Sequence, residues 1–206
     1  MQTVNSLQLQ LLHKIIIKAT EPNFYRFSSL TKIPTHTPNA LFFNYLIETL
    51  NLSNTEAQSI SNSPRFSNIK SLENPQSVLD YFRSVGLSET EIRSSVLFQP
   101  RILLSDVDRI LKPKIEFFQE MGLVGSDLCK FISKNSKLFN SSLEKKMIPC
   151  TRILKKILVN DKNNQDLIRV ITARSWLITT NPERRLLRNM HSWRAVALLG
   201  LSSHSY

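Results

Sequence analysis

The strongest constraint on the fold is a repeat of 36 residues in the middle of the chain. Residues 78–113 (VLDYFRSVGLSETEIRSSVLFQPRILLSDVDRILKP) align without a gap with residues 114–149 (KIEFFQEMGLVGSDLCKFISKNSKLFNSSLEKKMIP). Apolar, glycine and proline positions coincide, as in the pairs Phe82/Phe118, Gly86/Gly122 and Pro113/Pro149. Repetition at this period predicts stacked supersecondary units, none of which buries its apolar face alone.

Weaker copies flank this pair. Residues 51–66 parallel residues 86–102, and the Pro-Arg dipeptide occurs in both, at 64–65 and at 100–101. On the other side, RSWLI (174–178) resembles NSKLF (135–139). We therefore count three repeats and a partial fourth.

The best copy predicts the structure of its first helix. Asn74 is expected to cap a helix whose first residue is Pro75. The first amides of a helix have no acceptor within it, so a proline, which has no amide hydrogen, loses no hydrogen bond there. Apolar residues at i, i+4 and i+7, from Val78 to Val85, predict one buried stripe. Gly86 is expected to end the helix, since glycine adopts a positive φ at little cost.

The second helix of the copy has equally clear boundaries. Ser88 and Glu91 have the spacing of a capping box, and Pro100 prevents the helix from continuing. The following residues must then turn, as a short 3₁₀ segment, to place their aliphatic side chains on the core. Strands would need β-branched alternation and turn glycines, which are scarce. The sequence thus predicts an all-α protein, a curved solenoid of about 36-residue repeats.

Composition excludes several classes of function. Four glycines and the absence of GxGxxG or GKT/GKS strings argue against a phosphate-binding loop, and the two cysteines, Cys129 and Cys150, form no CxxC metal motif. The four histidines have no spacing suited to a metal. No nucleophile, base and orienting group can be assembled. We therefore expect no enzyme activity, no cofactor and no metal.

The charge is segregated along the chain. Of the net +11, residues 71–140 contribute nothing, with nine basic and nine acidic side chains, whereas residues 141–206 contribute +8, with twelve basic and four acidic side chains. A one-sided basic region is typical of a protein with a polyanionic partner, although a solvated lysine-rich surface is the simpler alternative. We expect the following residues to contact phosphate: Lys145, Lys146, Arg152, Lys155, Lys156, Arg169 and Arg174.

The two ends of the chain differ from its middle. The first twenty residues contain no acid and place leucines and isoleucines on one helical stripe, and a stretch rich in Ser, Thr and Pro follows. This pattern favours an organelle transit peptide and linker over residues 1–38, although an amphipathic helix packed on the domain would share it. The repeat array is expected over 40–178, followed by an atypical basic tail at 179–206. No apolar run reaches the ~20 residues of a membrane helix.

Four stretches resemble the plant branch of the mitochondrial transcription termination factor family, mTERF. They are residues 73–92, 98–104, 111–139 and 142–158, the last leading to 174–178. Characteristic in combination are Leu-x-Pro-Lys-x-x-Phe-Phe-x-x-x-Gly, from Leu111 to Gly122, and Pro-Arg-x-Leu-Leu, from Pro100 to Leu104.

This resemblance implies a right-handed superhelix whose repeats combine two α-helices and a 3₁₀ helix. It implies a mitochondrial protein, or alternatively a chloroplast protein, that binds double-stranded DNA or RNA through the phosphate backbone and regulates transcription, transcription termination or transcript processing. Neither catalysis nor a cofactor is implied, and we expect a monomer without membrane contact. The basic positions that match the repeat pattern are Lys112, Lys114, Lys145, Lys146, Lys155 and Lys156.

Two other functions stay open. Because such proteins usually continue through several more repeats, a shortened array could serve as a protein-interaction scaffold that no longer binds nucleic acid. The period is also close to that of pentatricopeptide readers of single-stranded RNA, but the helix starts typical of that family are missing.

Overall fold

The structure, a computed structural model, describes residues 39–158, 161 and 163–187. The predicted transit peptide and linker (1–38) and most of the predicted tail lie outside these residues. The described part of the chain contains only helices and their connections, without a strand, which confirms the all-α prediction. It divides into two compact units, 39–143 and 144–187.

Each unit is built from helix pairs. In the first unit the helices are α1 (Ala40–Leu50), α2 (Asn54–Ser61), α3 (Glu73–Val85), α4 (Glu89–Phe98), α5 (Lys112–Glu120) and α6 (Gly125–Lys134), with 3₁₀ helices at Pro100–Leu104 and Ser136–Asn140. The second unit contains α7 (Ile148–Ile157), α8 (Gln165–Ala173), a 3₁₀ helix at Ser175–Ile178 and a π-helical segment at Pro182–Leu187. The predicted order of helix, turn, helix and 3₁₀ segment is therefore confirmed for the three later helix pairs, whereas a turn without a 3₁₀ helix follows α2.

The ends of the first helices repeat in atomic detail. Gly86 follows α3 with φ 101°, and the Leu87 amide donates a hydrogen bond to the Phe82 carbonyl at 3.0 Å. In the next copy Gly122 has φ 102°, and the Leu123 amide donates to the Phe118 carbonyl at 3.0 Å. This six-residue closure is the Schellman motif, which needs a left-handed residue at its corner. It confirms the role predicted for Gly86.

The predicted capping box of the second helix is also present. The Glu91 amide donates to Ser88 Oγ, and the Ser88 amide donates to Glu91 Oε2 at 3.0 Å. The preceding copy has the same reciprocal pair at Ser53 and Glu56, at the start of α2. Each box satisfies two amides that the first turn of a helix leaves without partners.

The first helices of later repeats begin earlier than their prolines suggest. A π-helical turn at Val107–Leu111 leads directly into α5, and the Leu111 amide donates to the Asp106 carbonyl five residues back. Pro113 lies inside this continuous segment, where it cannot donate to the carbonyl of Arg109 and would crowd it. The wider turn accommodates the proline. A structural repeat therefore starts at Asp106, before the 113/114 boundary of the alignment.

The cap predicted for α3 is wrong. The helix begins at Glu73, and Asn74 lies in its first turn. Its amide Nδ2 instead donates to the carbonyls of Leu103 at 2.9 Å and Ser105 at 3.3 Å. Asn74 thus links its own helix to the end of the 3₁₀ helix in the same repeat.

The core of the first unit contains the aromatic positions that coincide in the repeat. Phe82 and Phe118 are fully buried, and Phe82 lies 6.2 Å from Phe139, centroid to centroid. Phe117 and Tyr81 are only half-buried beside them. Phe82, on the stripe predicted from Val78 to Val85, and Phe118 are therefore the inner members of the two aromatic pairs. No described helix has the length and apolar character to cross a bilayer.

Candidate nucleic-acid interface

Most of the predicted phosphate-binding cations are at the surface. The exposed ones are Lys112, Lys145, Lys146, Arg152, Lys155, Lys156 and Arg169, whereas Arg174 is half-buried. Lys112 belongs to the first unit and the others to the second. Exposure leaves these groups hydrated and able to exchange solvent for a phosphate oxygen.

Lys114 is the exception, and its predicted contact with phosphate is wrong. Only 6% of the residue is exposed, and its ammonium Nζ donates a hydrogen bond to the Phe139 carbonyl at 2.5 Å. Burial lowers the pKa of this lysine from 10.5 to about 8. A cation turned into the core cannot reach a backbone outside it, so Lys114 joins α5 to the end of the 3₁₀ helix that closes its repeat.

A link of this kind occurs in each repeat, made by an asparagine in the first two repeats, by a lysine in the third and by a cysteine in the fourth. Asn39 Nδ2 donates to the Ile69 carbonyl at 2.8 Å, and Asn74 and Lys114 make the corresponding bonds in the next two copies. In the second unit Cys150 Sγ lies 3.5 Å from the Thr180 carbonyl. Carbonyls at the end of a 3₁₀ helix, or of the turn that replaces it in the first repeat, lack a helical partner, and a donor at the start of the first helix of the repeat satisfies them.

The basic residues of α7 lie on its solvent side. Arg152, Lys155 and Lys156 are exposed, whereas Cys150 and Leu154 are buried. Lys155 and Lys156 fall in the last turn, where a positive charge also offsets the partial negative charge of the helix end. These three cations form the densest predicted group on a described α-helix.

Lys145 and Lys146 enter this helical segment from a π-helical turn, Leu143–Met147. The turn contains one more residue than an α-helical turn, so the 3.6-residue spacing that relates Lys145 to Arg152 does not carry through it. Both lysines are nevertheless exposed. The π-helical turn therefore shifts Lys145 and Lys146 away from the face that the cations of α7 share, although all of them remain at the surface.

Arg169 in α8 and Arg174 directly after it have local partners. Arg169 forms an ion pair with Asp166 at 3.4 Å on the same helix, and the Arg174 guanidinium donates to the Ala173 carbonyl at 3.0 Å. Exposed pairs of this kind are worth little and exchange readily. The pair with Asp166 therefore leaves Arg169 able to bind an outside anion.

The structure adds basic positions that sequence reasoning missed. Arg109 and Arg184 lie at the third position of a π-helical turn, as Lys145 does, and both are exposed. Their amides donate at 2.8 Å to the capping side chains of Asp106 and Asn181. The sequence pattern that could have identified these two arginines is a capping residue followed by an acid two positions later and a base three positions later.

Neither a metal cluster nor a reactive thiol is found among the described residues. No group of three His, Cys, Asp or Glu among them is placed to hold a metal ion. Cys129 and Cys150 are buried free thiols, and burial raises the pKa of both, that of Cys150 to about 11. Thiols with such pKa values are poor nucleophiles at neutral pH. The four histidines lie outside the described residues.

Comparison with known proteins decides the family. The mTERF family model matches residues 79–196, more than half of the 206-residue chain. The chain belongs to the mTERF family. Membership indicates a nucleic-acid-binding regulator of organellar gene expression, in a family whose members are generally not enzymes. The searches of curated proteins and of solved structures found no match.

The mTERF match extends beyond Ile178, where we predicted that the array ends. The segment Pro182–Leu187 packs on α7 and has the π-helical form of the turns that open α5 and α7. A family-like sequence thus continues into the predicted tail; the 178/179 boundary itself stays a prediction.

Proposed function

We propose that this mTERF protein binds the phosphate backbone of double-stranded DNA, or of RNA, and thereby regulates transcription, transcription termination or transcript processing in mitochondria. The plastid is the alternative compartment. The observation that carries the proposal is the exposed cationic group of α7, Arg152, Lys155 and Lys156, in the part of the chain that holds most of the net charge. Contacts with phosphate position a protein on the nucleic acid without reading the base sequence, so the proposal includes no base-reading residue.

The test is a salt titration of binding to duplex DNA and to RNA. Each phosphate neutralised steepens the log–log dependence on salt by about 0.9 for duplex DNA and about 0.7 for a single strand. The triple variant R152Q/K155Q/K156Q should therefore flatten the duplex slope by up to about 2.7. A control variant, K70Q/K130Q/K134Q, removes the same charge from exposed lysines of the first unit.

Two results would count against the proposal. Equal slopes for the two triple variants would mean that only net charge matters and that α7 is not the contact. Absence of binding to either nucleic acid at low salt would remove the function.

The scaffold function is the second candidate. The burial of Lys114 favours it, because this buried ammonium is not free to contact phosphate. It predicts protein partners that persist in a pull-down after nuclease treatment, and loss of every partner would exclude it.

A further inference from the structure

A groove with both polar and apolar lining residues lies between the first two repeats. Its volume is about 510 Å³, and it is formed by α2 and the turn after it on one side, and by the end of α4 and the following 3₁₀ helix on the other. The lining includes three hydroxyl side chains and two arginines: Thr55, Ser59, Ser63, Arg65 and Arg101. All of these residues belong to the first unit. None of them is among the cations singled out from the sequence.

The two arginines occupy equivalent positions. Arg65 follows Pro64 and Arg101 follows Pro100, one repeat apart, and both are exposed. Neither guanidinium has a hydrogen bond or an ion pair with another described residue. Their positive charges therefore face the groove without a compensating carboxylate of their own.

One acid lines the groove, and its carboxylate is already occupied. Glu56 accepts hydrogen bonds from Ser53, and both of its oxygens accept from the Arg93 guanidinium, at 2.8 and 3.1 Å. The bonds from Ser53, followed by that from Arg93, lower the pKa of Glu56, which keeps it ionised. Since Arg93 balances Glu56, the two groove arginines give this surface its net positive charge.

The next repeat also has a cation at the position equivalent to Arg101. Lys137 is the residue that aligns with Arg101, and it is also exposed. Its Nζ lies 4.7 Å from the ring centroid of Phe98, a side chain that is 49% exposed and precedes Arg101 by three residues. Three successive repeats of this unit thus present a cation at the start of the segment after the second helix.

We propose that Arg65 and Arg101 bind the phosphodiester groups of a nucleic-acid strand that lies along this groove, with Lys137 at the next position. The guanidinium group is a planar fork that fits phosphate oxygens through two parallel hydrogen bonds, and hydroxyl side chains also donate to phosphates. This inference rests on the proposed function and adds to it a surface of the first unit. The phosphodiester is common to DNA and RNA, and the test separates them.

The experiment compares R65Q/R101Q with wild type in salt titrations against a duplex DNA and a single-stranded RNA of equal length. The slope should flatten by about 1.8 on the duplex or about 1.4 on the single strand, whichever is bound. The variant R65K/R101K keeps the charge and should retain the wild-type slope at reduced affinity. The control K70Q/K130Q removes two exposed charges outside the groove and should change the slope by less than one contact, about 0.9.

The outcomes separate the two proposals. If wild type binds and R65Q/R101Q has the slope of K70Q/K130Q, the groove is not a contact, and the proposed function stands. If wild type binds neither nucleic acid at low salt, both proposals are overturned. Circular dichroism of each variant monitors folding, and the single variants R65Q and R101Q, each expected to remove about one contact, replace the double variant if it unfolds.

Discussion

At the scale of single residues, the groups that the fold places nearby decide what a side chain does. Two asparagines, a lysine and a cysteine, at positions 39, 74, 114 and 150, each donate to a carbonyl in the segment after the second helix of their repeat. A lysine beside a proline in a basic family suggests a phosphate contact, but burial assigns Lys114 to the fold. Because its ammonium is poorly hydrated, its titration should be visible in the stability of the protein.

Lys114 should make the protein more stable as the pH rises above neutrality. Its pKa is about 8 in the folded protein and near 10.5 in the unfolded chain. Between these values the unfolded chain binds more protons than the folded protein does, so the free energy of unfolding rises with pH. Between pH 8 and 9 the free energy of unfolding should rise by about 1 kcal/mol more for wild type than for Lys114→Met. Urea denaturation at each pH measures this difference.

Parallel pH dependences of wild type and K114M would contradict the prediction. The comparison stops at pH 9, because deprotonation of Cys150 and Tyr45 acts in the opposite direction at higher pH. Burial raises the pKa of these groups to about 11 and about 12, so the stability that they contribute is lost at alkaline pH.

At the scale of the helix, the same local structures recur at the ends of the helices in successive repeats. A left-handed residue ends the first helix, a capping box begins the second in two copies, and a π-helical turn accommodates the proline of the next. The left-handed position is glycine at 86 and 122, but asparagine at 51, where φ is 51°. This natural variation provides a matched pair of substitutions.

Gly86→Ala should destabilise the protein by about 1–2 kcal/mol, because a Cβ disfavours the left-handed conformation. The space itself is not limiting, since an added Cβ would lie 3.9 Å from Cys129 Sγ. The control Asn51→Gly removes a Cβ at the equivalent position and should change stability by no more than about 0.5 kcal/mol. Thermal or urea unfolding of both variants tests the difference, and an equal loss for both would rule out backbone strain as the cause.

A second element-scale prediction concerns the capping box of α4. Ser88→Ala leaves the Glu91 amide without its side-chain acceptor and should cost about 1 kcal/mol. Ser94→Ala, at an exposed position inside the same helix, is the control and should be neutral or slightly stabilising, since alanine has the higher helix propensity. Urea denaturation measures the free energy of unfolding of both variants. If Ser94→Ala lowered it as much as Ser88→Ala, the effect at Ser88 would not come from the capping box.

At the scale of the whole molecule, stability comes from apolar positions that recur once per repeat. Phe82 in α3 and Phe118 in α5 are fully buried, and each has a less buried aromatic neighbour directly before it in the sequence. Outside this core, the basic excess lies in the last third of the chain. Stability and proposed binding therefore depend on different residues and can be tested separately.

Phe118→Ala should destabilise the protein by about 3–5 kcal/mol, because it leaves a cavity against Phe131, whose ring lies 5.0 Å away. Phe117→Ala, one position earlier and half-buried, should cost clearly less. Urea unfolding of the two variants compares them. A larger loss at Phe117 would show that the inner face of α5 has been assigned to the wrong side.

The sequence alone determined the all-α repeat, the glycine at the end of α3, the capping box of α4 and the family, because each depends on local periodicity or on residues a few positions apart. Tertiary structure decided what depends on distant neighbours. The burial of Lys114 follows from the position of a carbonyl 25 residues away, and Asn74 acts on the 3₁₀ helix rather than on its own helix start. The groove that brings Arg65 beside Arg101 exists only once two repeats pack side by side. Spacing within a helix is set by the backbone, whereas burial and charge pairing are set by whatever the fold brings alongside.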